Sequence, residues 1–245
     1  MGMFDLGTDV KQEVEKDTLG GGGVRESGVV DFIIKQAYLT ESKGEAIAVN
    51  LSMEDVDGGK FKQQIYISSG KAKGKKFTYT DKRTGDERPL PGYSQVNSIC
   101  SLATDLDFGS IDPEDKVVMV YDFDQKKEVP TQVPVIMELI NAPITLGILK
   151  IVESKRKLVG SDYVATNETR EINEISKIFK TDGRLTGAEI AAGMSTGEFV
   201  DKWEEKNKGK VVDKVDKNVK AQTGIPTAQA SAAIPSTTPK LFGNT

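Results

Sequence analysis

The residues best suited to a chemical role are basic and lie close together in the sequence. In "KAKGKKFTYTDKR", residues 71–83, six of thirteen positions are Lys or Arg, and Phe77 and Tyr79 lie among them. Lysine and arginine bind phosphates regardless of base sequence, and aromatic rings stack with unpaired bases. Because Phe77 and Tyr79 alternate, we expect their rings to share one face of a strand. The segment therefore predicts a surface that binds single-stranded nucleic acid.

The predicted surface extends to aromatic residues on either side of this segment. Tyr66 ends the preceding strand pattern, and Tyr93 follows the turn "DKRTGDERPLPG". The expected phosphate-binding and base-stacking residues are Lys71, Lys73, Lys75, Lys76, Phe77, Tyr79, Lys82, Arg83, Tyr66 and Tyr93. A solvated, lysine-rich hairpin that protects a sheet edge has nearly the same composition, so this simpler interpretation stays open.

Charge is segregated along the chain, although the protein as a whole carries a net charge of -4. Residues 60–88 contain nine basic and three acidic side chains, whereas residues 101–128 contain eight acidic side chains and three lysines. An acidic protein with one basic face can bind a polyanion at that face alone. The charge distribution is therefore consistent with nucleic-acid binding near residues 60–88.

Two kinds of phosphate chemistry are alternatives to a simple binding surface. A P-loop that uses Gly74 and Lys75 needs glycine at position 69 and Ser or Thr at position 76, but the sequence has Ser69 and Lys76. That motif is therefore absent. Asp122 and Asp124 follow a predicted strand, and paired carboxylates of this kind hold magnesium in phosphoryl-transfer enzymes. A magnesium-dependent nuclease or phosphotransferase thus remains an alternative function.

The composition excludes several classes of enzyme. The chain has no histidine, which excludes imidazole bases, Ser-His-Asp triads and histidine-ligated metals. The single cysteine, Cys100, lies in the apolar context "VNSICSLAT", so we expect it to be buried in the core. We expect a protein that is not an enzyme and that has no catalytic residue, bound metal or cofactor.

The elements that must position these residues are mostly strands. Strict alternation places Ile47, Val49, Leu51 and Met53 on one face of a strand, and "DVDGGKF" predicts the turn to its antiparallel partner. The segment "PGYSQVNSICSLAT" changes to helical spacing, with an apolar stripe that includes Cys100. We expect one helix there, capped by Ser94 and inserted into an α+β fold with a mostly antiparallel β core.

The sequence predicts four regions. Residues 1–27 form a flexible, glycine-rich arm, and residues 28–160 form the β-rich nucleic-acid-binding core. Residues 161–210 are expected to be helical, since Ile172, Ile175, Ile178 and Phe179 fall at helical spacing. Residues 211–245 form a disordered Ala/Ser/Thr/Pro-rich tail that ends near an apolar Leu241-Phe242 pair. With no apolar run long enough for a membrane span, we expect no membrane partner and a cytoplasmic location.

In this organisation, residues 25–210 resemble phage-encoded single-stranded DNA-binding proteins. The segments that carry the resemblance are "KGKKFTYTDKRTG" and "LPGYSQVN". It implies a non-enzymatic accessory of replication, recombination or transcription in the host-cell cytoplasm, with an OB-like barrel as one fold that such proteins use. It also implies single-stranded DNA and replication or transcription proteins as partners. Whether the chain is a homo-oligomer, or instead a structural or assembly protein, stays open.

Overall fold

A large antiparallel-rich β-sheet dominates the chain, and a computed structural model describes residues 23–122, 125–160 and 162–217. The elements in chain order are β1 (Gly28–Glu41), β2 (Ile47–Asp55), β3 (Lys60–Tyr66), β4 (Thr78–Thr80), β5 (Glu87–Pro89), α1 (Pro91–Thr104), β6 (Glu114–Asp122), β7 (Lys127–Val135), β8 (Pro143–Val159), β9 (Asp162–Phe179), α2 (Gly187–Ala191), α3 (Phe199–Asn207) and β10 (Val211–Lys214). The prediction of a mostly antiparallel β core with few helices is confirmed.

Eight strands of the described residues belong to one sheet, in which β10, β8, β1, β2 and β3 are successive neighbours. β9 pairs with β8, and the β6–β7 hairpin joins β1 where Tyr38 lies opposite Val135. β4 and β5 form a separate two-stranded sheet. Since no pairing between β3 and β9 closes the large sheet in the described part of the chain, the OB-like barrel is not confirmed.

The β1–β3 meander follows from the alternation of its residues. Val49, Leu51 and Met53 are buried in the main core and Ile47 packs against it, as the sequence predicts. The β2–β3 turn is held by Asp55, whose Oδ1 accepts the backbone N–H groups of residues 57 and 59 at 2.9 and 2.7 Å. One face of the meander is therefore committed to the core, and the other is left for solvent or a ligand.

Helix α1 lies beside the open edges of β3 and β9. The Nε2 of Gln95 donates a hydrogen bond to the backbone oxygen of Ile175 in β9, at 3.1 Å. One turn earlier in the helix, Gly92 packs so closely on β3 that an added Cβ would lie 2.0 Å from the backbone oxygen of Tyr66. Glycine is therefore required at this contact, and α1 holds the end of β3 in place.

The predicted helix is confirmed, but its start differs from the prediction. Proline occupies the first turn, so α1 begins at Pro91 rather than after a cap at Ser94. Cys100 is buried as expected. This burial, and to a smaller extent the negative charge of the nearby Glu138, raises the pKa of its thiol to about 12. Cys100 therefore remains a neutral core residue at physiological pH.

The prediction of a helix after residue 165 is wrong, because residues 162–179 form the strand β9. β9 pairs with β8, a strand that is buried on both faces from Ile144 to Ile148. Ile172 lies opposite Ile151 and Ile175 opposite Ile148, so the two β9 residues point to opposite faces. A bulge between residues 175 and 177 then shifts the register of the pairing. The helix-like spacing of the apolar residues in β9 therefore comes from a strand that is covered on both faces.

Helix α3, which follows the short helix α2, covers the second face of β8. The indole of Trp203 in α3 lies over Gly147, where an added Cβ would meet ring carbons at 3.0 Å. These two helices are the part of the predicted helical region, 161–210, that is confirmed. β10 corrects the tail boundary, since Val211–Lys214 pair in parallel with β8. The predictions for residues 1–22 and 218–245 concern parts of the chain outside the described residues.

Glu189 joins α2 to α3 through its two carboxylate oxygens. Oε2 accepts the backbone N–H of Thr186 at 2.8 Å, and Oε1 accepts the N–H groups of Glu198 and Phe199 at 2.8 Å each. These hydrogen bonds, of which the one from the backbone of Thr186 has the largest effect, lower the pKa of Glu189 from 4.5 to about 2. They outweigh burial, which acts in the opposite direction. The ionised carboxylate therefore stabilises the folded chain.

No helix of the described residues is long and apolar enough to cross a membrane.

Candidate nucleic-acid interface

The outer face of the β1–β3 meander carries a regular array of polar and aromatic side chains. Tyr38 lies opposite Asn50, and Asn50 lies opposite Gln64, so the three form a row across the strands. The flanking rows are Gln36, Ser52 and Lys62 on one side and Thr40, Ala48 and Tyr66 on the other. Apart from Ala48, this face presents hydroxyl, amide, phenol and ammonium groups.

Hydrogen bonds fix the amides of this face. Nδ2 of Asn50 donates to the Oγ1 of Thr40 at 2.7 Å, and Nε2 of Gln64 donates to the Oδ1 of Asn50 at 3.0 Å. A side-chain network of this kind holds its members in one orientation. The face can therefore offer preorganised hydrogen-bonding groups to an unpaired base.

Strand β6 forms a wall beside this face. A cavity of about 670 Å³ lies between them, lined by Tyr38, Tyr66, Met119 and Tyr121 together with the polar residues of the meander. Partial burial, and secondarily the negative charge of Glu128, raise the pKa of Tyr38. Its hydroxyl therefore stays protonated and neutral at physiological pH.

A second cavity, of about 710 Å³, adjoins the first at Tyr66, which lines both. It is also lined by Tyr79 and Lys73. We call the two adjoining cavities the tyrosine groove, whose aromatic residues are Tyr38, Tyr66, Tyr79 and Tyr121. Tyr66, Tyr79 and Tyr121 remain between 42% and 49% exposed, so their rings are accessible to a ligand.

Two of the predicted phosphate-binding lysines are paired with carboxylates. Lys71 Nζ lies 2.9 Å from Glu45 Oε1, and Lys75 contacts both Glu45 and Glu41. Hydrogen bonds from Lys75 and then Lys71 lower the pKa of Glu45, and the bond with Glu45 is the main cause that raises the pKa of Lys75. These two lysines are therefore partly neutralised, and the basic cluster carries less free charge than its sequence indicates.

The other predicted basic residues keep their charge available. Lys73, Lys76, Lys82 and Arg83 are exposed, and none of them makes a side-chain ion pair within the described residues. Lys76 is held at the base of its loop, where its backbone N–H donates to the Oγ of Ser69 at 2.8 Å. Together with the tyrosine groove, these cations provide both phosphate-binding charge and base-stacking rings.

Phe77 and Tyr93 lie outside the tyrosine groove. Their ring centroids are 5.8 Å apart, and Tyr93 makes a further edge contact with Phe108 at 5.4 Å. All three line a third cavity of about 510 Å³ with Leu39, Ile47, Ile67, Ile111 and Pro113, which we call the apolar groove and which shares Thr40 and Glu41 with the first cavity. Phe77 precedes β4, so its ring does not share a groove with Tyr79 as the alternation predicts.

Two aromatic residues of the tyrosine groove, Tyr38 and Tyr121, were not predicted from the sequence, and neither was the neighbouring Met119. Tyr38 lies between Ala37 and Leu39 in β1, and both of these neighbours face the core. Strand alternation therefore places the ring of Tyr38 on the opposite, polar face. That signal was available in the sequence. The approach of β6 to the meander was not, because it depends on pairing between strands distant in the chain.

The structure describes only one of the two carboxylates of the alternative magnesium site. Asp122 ends β6 and accepts hydrogen bonds from the backbone and side chain of Gln125, both at 2.9 Å. Asp124 lies outside the described residues. Within the described ranges, no group of three or more Cys, Asp or Glu residues is arranged to hold a metal ion.

Comparison with known proteins gives no relative from which a role could be transferred. No protein-family model matches this sequence, and no curated protein matches it. A functional assignment therefore depends on the geometry and chemistry of the tyrosine groove.

Proposed function

We propose that this protein binds single-stranded DNA and acts, without catalysing a reaction, as an accessory in phage DNA replication, recombination or transcription in the host cytoplasm. The observation that carries the proposal is the position of Tyr66. Tyr66 lines two adjoining cavities, with Tyr38 and Tyr121 in one and Tyr79 and Lys73 in the other. Successive unpaired bases can stack along such a path while lysines bind the phosphates.

The arrangement of the grooved surface favours a single strand over a duplex. Stacking on the tyrosine rings requires bases whose faces are free, and a duplex presents only base edges and backbone. The hydrogen-bonded amides of Asn50 and Gln64 suit the polar edges of such bases. A surface that bound phosphates alone would bind both forms, so the tyrosines are the source of the proposed preference.

We also propose that the strand order is an open variant of the OB fold. A three-stranded meander is followed by a helix that packs on the end of its third strand, and later by a long antiparallel pair. OB folds bind oligonucleotides on the face of their second and third strands. The tyrosine groove lies over β2 and β3, which supports the same use of this face.

The test is binding of a fluorescent oligonucleotide, as a single strand and as its duplex, measured by anisotropy. The wild-type protein binds the single strand more tightly, and the variant Tyr38→Ala/Tyr66→Ala loses most of that preference. Equal affinity for both forms, or no binding at low salt, contradicts the proposal. The oligonucleotide also remains intact with magnesium present, whereas cleavage that disappears in Asp122→Ala supports the nuclease alternative instead.

A further inference from the structure

The far ends of β8 and β9 form a two-stranded arm that extends beyond the core. Burial in β8 ends at Ser154, and the pairing of β8 with β10 ends where Glu153 lies opposite Lys214. Beyond that point β8 is paired only with β9, from Arg156 opposite Ala165 to Val159 opposite Asp162. We call residues 155–166, of which 161 is outside the described residues, the arm.

The tip of the arm is apolar and exposed. The exposed fractions of Leu158, Val159, Tyr163 and Val164 are 54%, 60%, 67% and 50%. Leu158 lies directly opposite Tyr163, so these two side chains share one face of the hairpin. Clusters of large apolar side chains in water usually mark a surface that binds another molecule.

The arm is also basic. Lys155 is paired with Glu168 at 3.0 Å, but Arg156 and Lys157 make no ion pair with any described residue. Arg156 lies on the same face as Leu158, since the two are separated by one residue in the strand. One face of the arm therefore combines a large apolar pair with an available positive charge.

The apolar groove has the complementary character. Phe77, Tyr93 and Phe108 line it, and it has about 510 Å³ of space, within the usual range of about 300–1,000 Å³ for binding pockets. The segment that contributes Phe108, Ile111 and Pro113 also carries acidic residues beside them. The exposed acids of this segment that make no ion pair within the described residues are Asp107, Asp112 and Asp115.

We propose that the arm of one copy of this protein docks in the apolar groove of a second copy. Leu158 and Tyr163 would enter the groove, while Arg156, on the same face, approaches the acids that neighbour Phe108, Ile111 and Pro113 in the sequence. Both surfaces are exposed within a single chain, and Arg156 is opposite in charge to the acids of residues 107–115. A partner of another kind would need to supply both complementary features, whereas a second copy already has them.

The geometry of this contact determines the assembly. Arm and groove are different surfaces, so the contact is head to tail, and each added copy brings one free arm and one free groove. Such a contact produces a ring if the rotation between successive copies closes and an open chain if it does not, so assemblies can grow beyond a dimer. The self-association needs no nucleic acid and does not depend on the proposed function, although a chain of subunits would suit a protein that coats a strand.

The test is sedimentation velocity over a concentration series, without nucleic acid. The wild-type protein should form species larger than dimers as its concentration rises. The arm variant Leu158→Ala/Tyr163→Ala and the groove variant Asp107→Lys/Asp112→Lys should each weaken self-association by about tenfold or more. All four side chains are exposed, so the fold should persist, and circular dichroism checks this.

Mixing the two variants distinguishes a head-to-tail contact from other modes. The intact arm of the groove variant can dock in the intact groove of the arm variant, but no further contact is available. The mixture should therefore form dimers and stop there. A wild-type monomer at all concentrations, or a mixture without dimers, overturns the proposal. So does an arm variant that self-associates normally but binds oligonucleotide more weakly, since the arm would then serve nucleic acid.

Discussion

Tyr66 is the residue whose replacement should affect nucleic-acid binding most clearly. Tyr66 lines both cavities of the tyrosine groove and is 49% exposed, which leaves it accessible to a base. Base–aromatic stacking is worth about 1–3 kcal/mol per base, which corresponds to about 5- to 150-fold in affinity. Tyr66→Ala should therefore weaken binding of a single-stranded oligonucleotide within that range.

The assay is fluorescence anisotropy of a labelled single strand at several salt concentrations. Because stacking is not an ionic contact, Tyr66→Ala should lower affinity without changing the slope of log K against log salt. Tyr66→Phe keeps the ring and should retain most of the affinity. The core side of β3 is formed by Phe61 and Ile65, so the melting temperature of Tyr66→Ala should change little. A loss below twofold, or an equal loss in Tyr66→Phe, refutes the stacking role.

Three further variants test the charges and the helical region. Lys73→Ala/Lys76→Ala should reduce the slope of log K against log salt by about 1.4, at about 0.7 for each lysine that contacts a phosphate; an unchanged slope argues against both contacts. Glu45→Gln should strengthen binding and steepen the slope, since it releases Lys71 and leaves Lys75 paired with Glu41 alone; weaker binding would contradict this. Glu189→Gln should lower the free energy of unfolding in urea at pH 7 by about 1–3 kcal/mol. Because the pKa of Glu189 is about 2 when folded and near 4.5 when unfolded, that difference should disappear as the pH falls from 4.5 towards 2, and a constant difference would refute it.

The strands of the meander could be predicted from sequence because their signal is local. Strict alternation gave the buried face that includes Val49 and Leu51, and the turn at Asp55 gave the antiparallel pairing. The same alternation gave Tyr66 its place on the outer face. Alternation of apolar and polar residues predicts a strand correctly where one face of the sheet packs on the core and the other contacts solvent.

β9 shows where such patterns fail. Its neighbour β8 is covered by the main core on one face and by Trp203 on the other, so both faces of the pair select apolar residues. Ile172, Ile175 and Ile178 then have the spacing of a helix, although a bulge and two-sided burial produce it. Only knowledge of what packs on the sheet separates these interpretations.

The charge state of the basic cluster also depended on contacts distant in sequence. Lys75 is 34 residues from Glu41 and 30 from Glu45, and the turn between β1 and β2 brings all three together. A count of charges along the chain treats Lys71, Lys73, Lys75 and Lys76 as equivalent. The fold divides them into two paired and two available cations, a difference that the salt dependence of binding can measure.

Photochemical cross-linking tests most directly whether the tyrosine groove binds single-stranded nucleic acid. The full chain is irradiated with a single-stranded oligonucleotide that contains 5-iodouracil, and the cross-linked residues are identified by mass spectrometry. We expect cross-links at Tyr66 and at Tyr38, Tyr79 or Tyr121, and their loss when an unlabelled single strand competes. Cross-links confined to Tyr163 in the arm, or to Phe77 and Tyr93 in the apolar groove, would contradict the account.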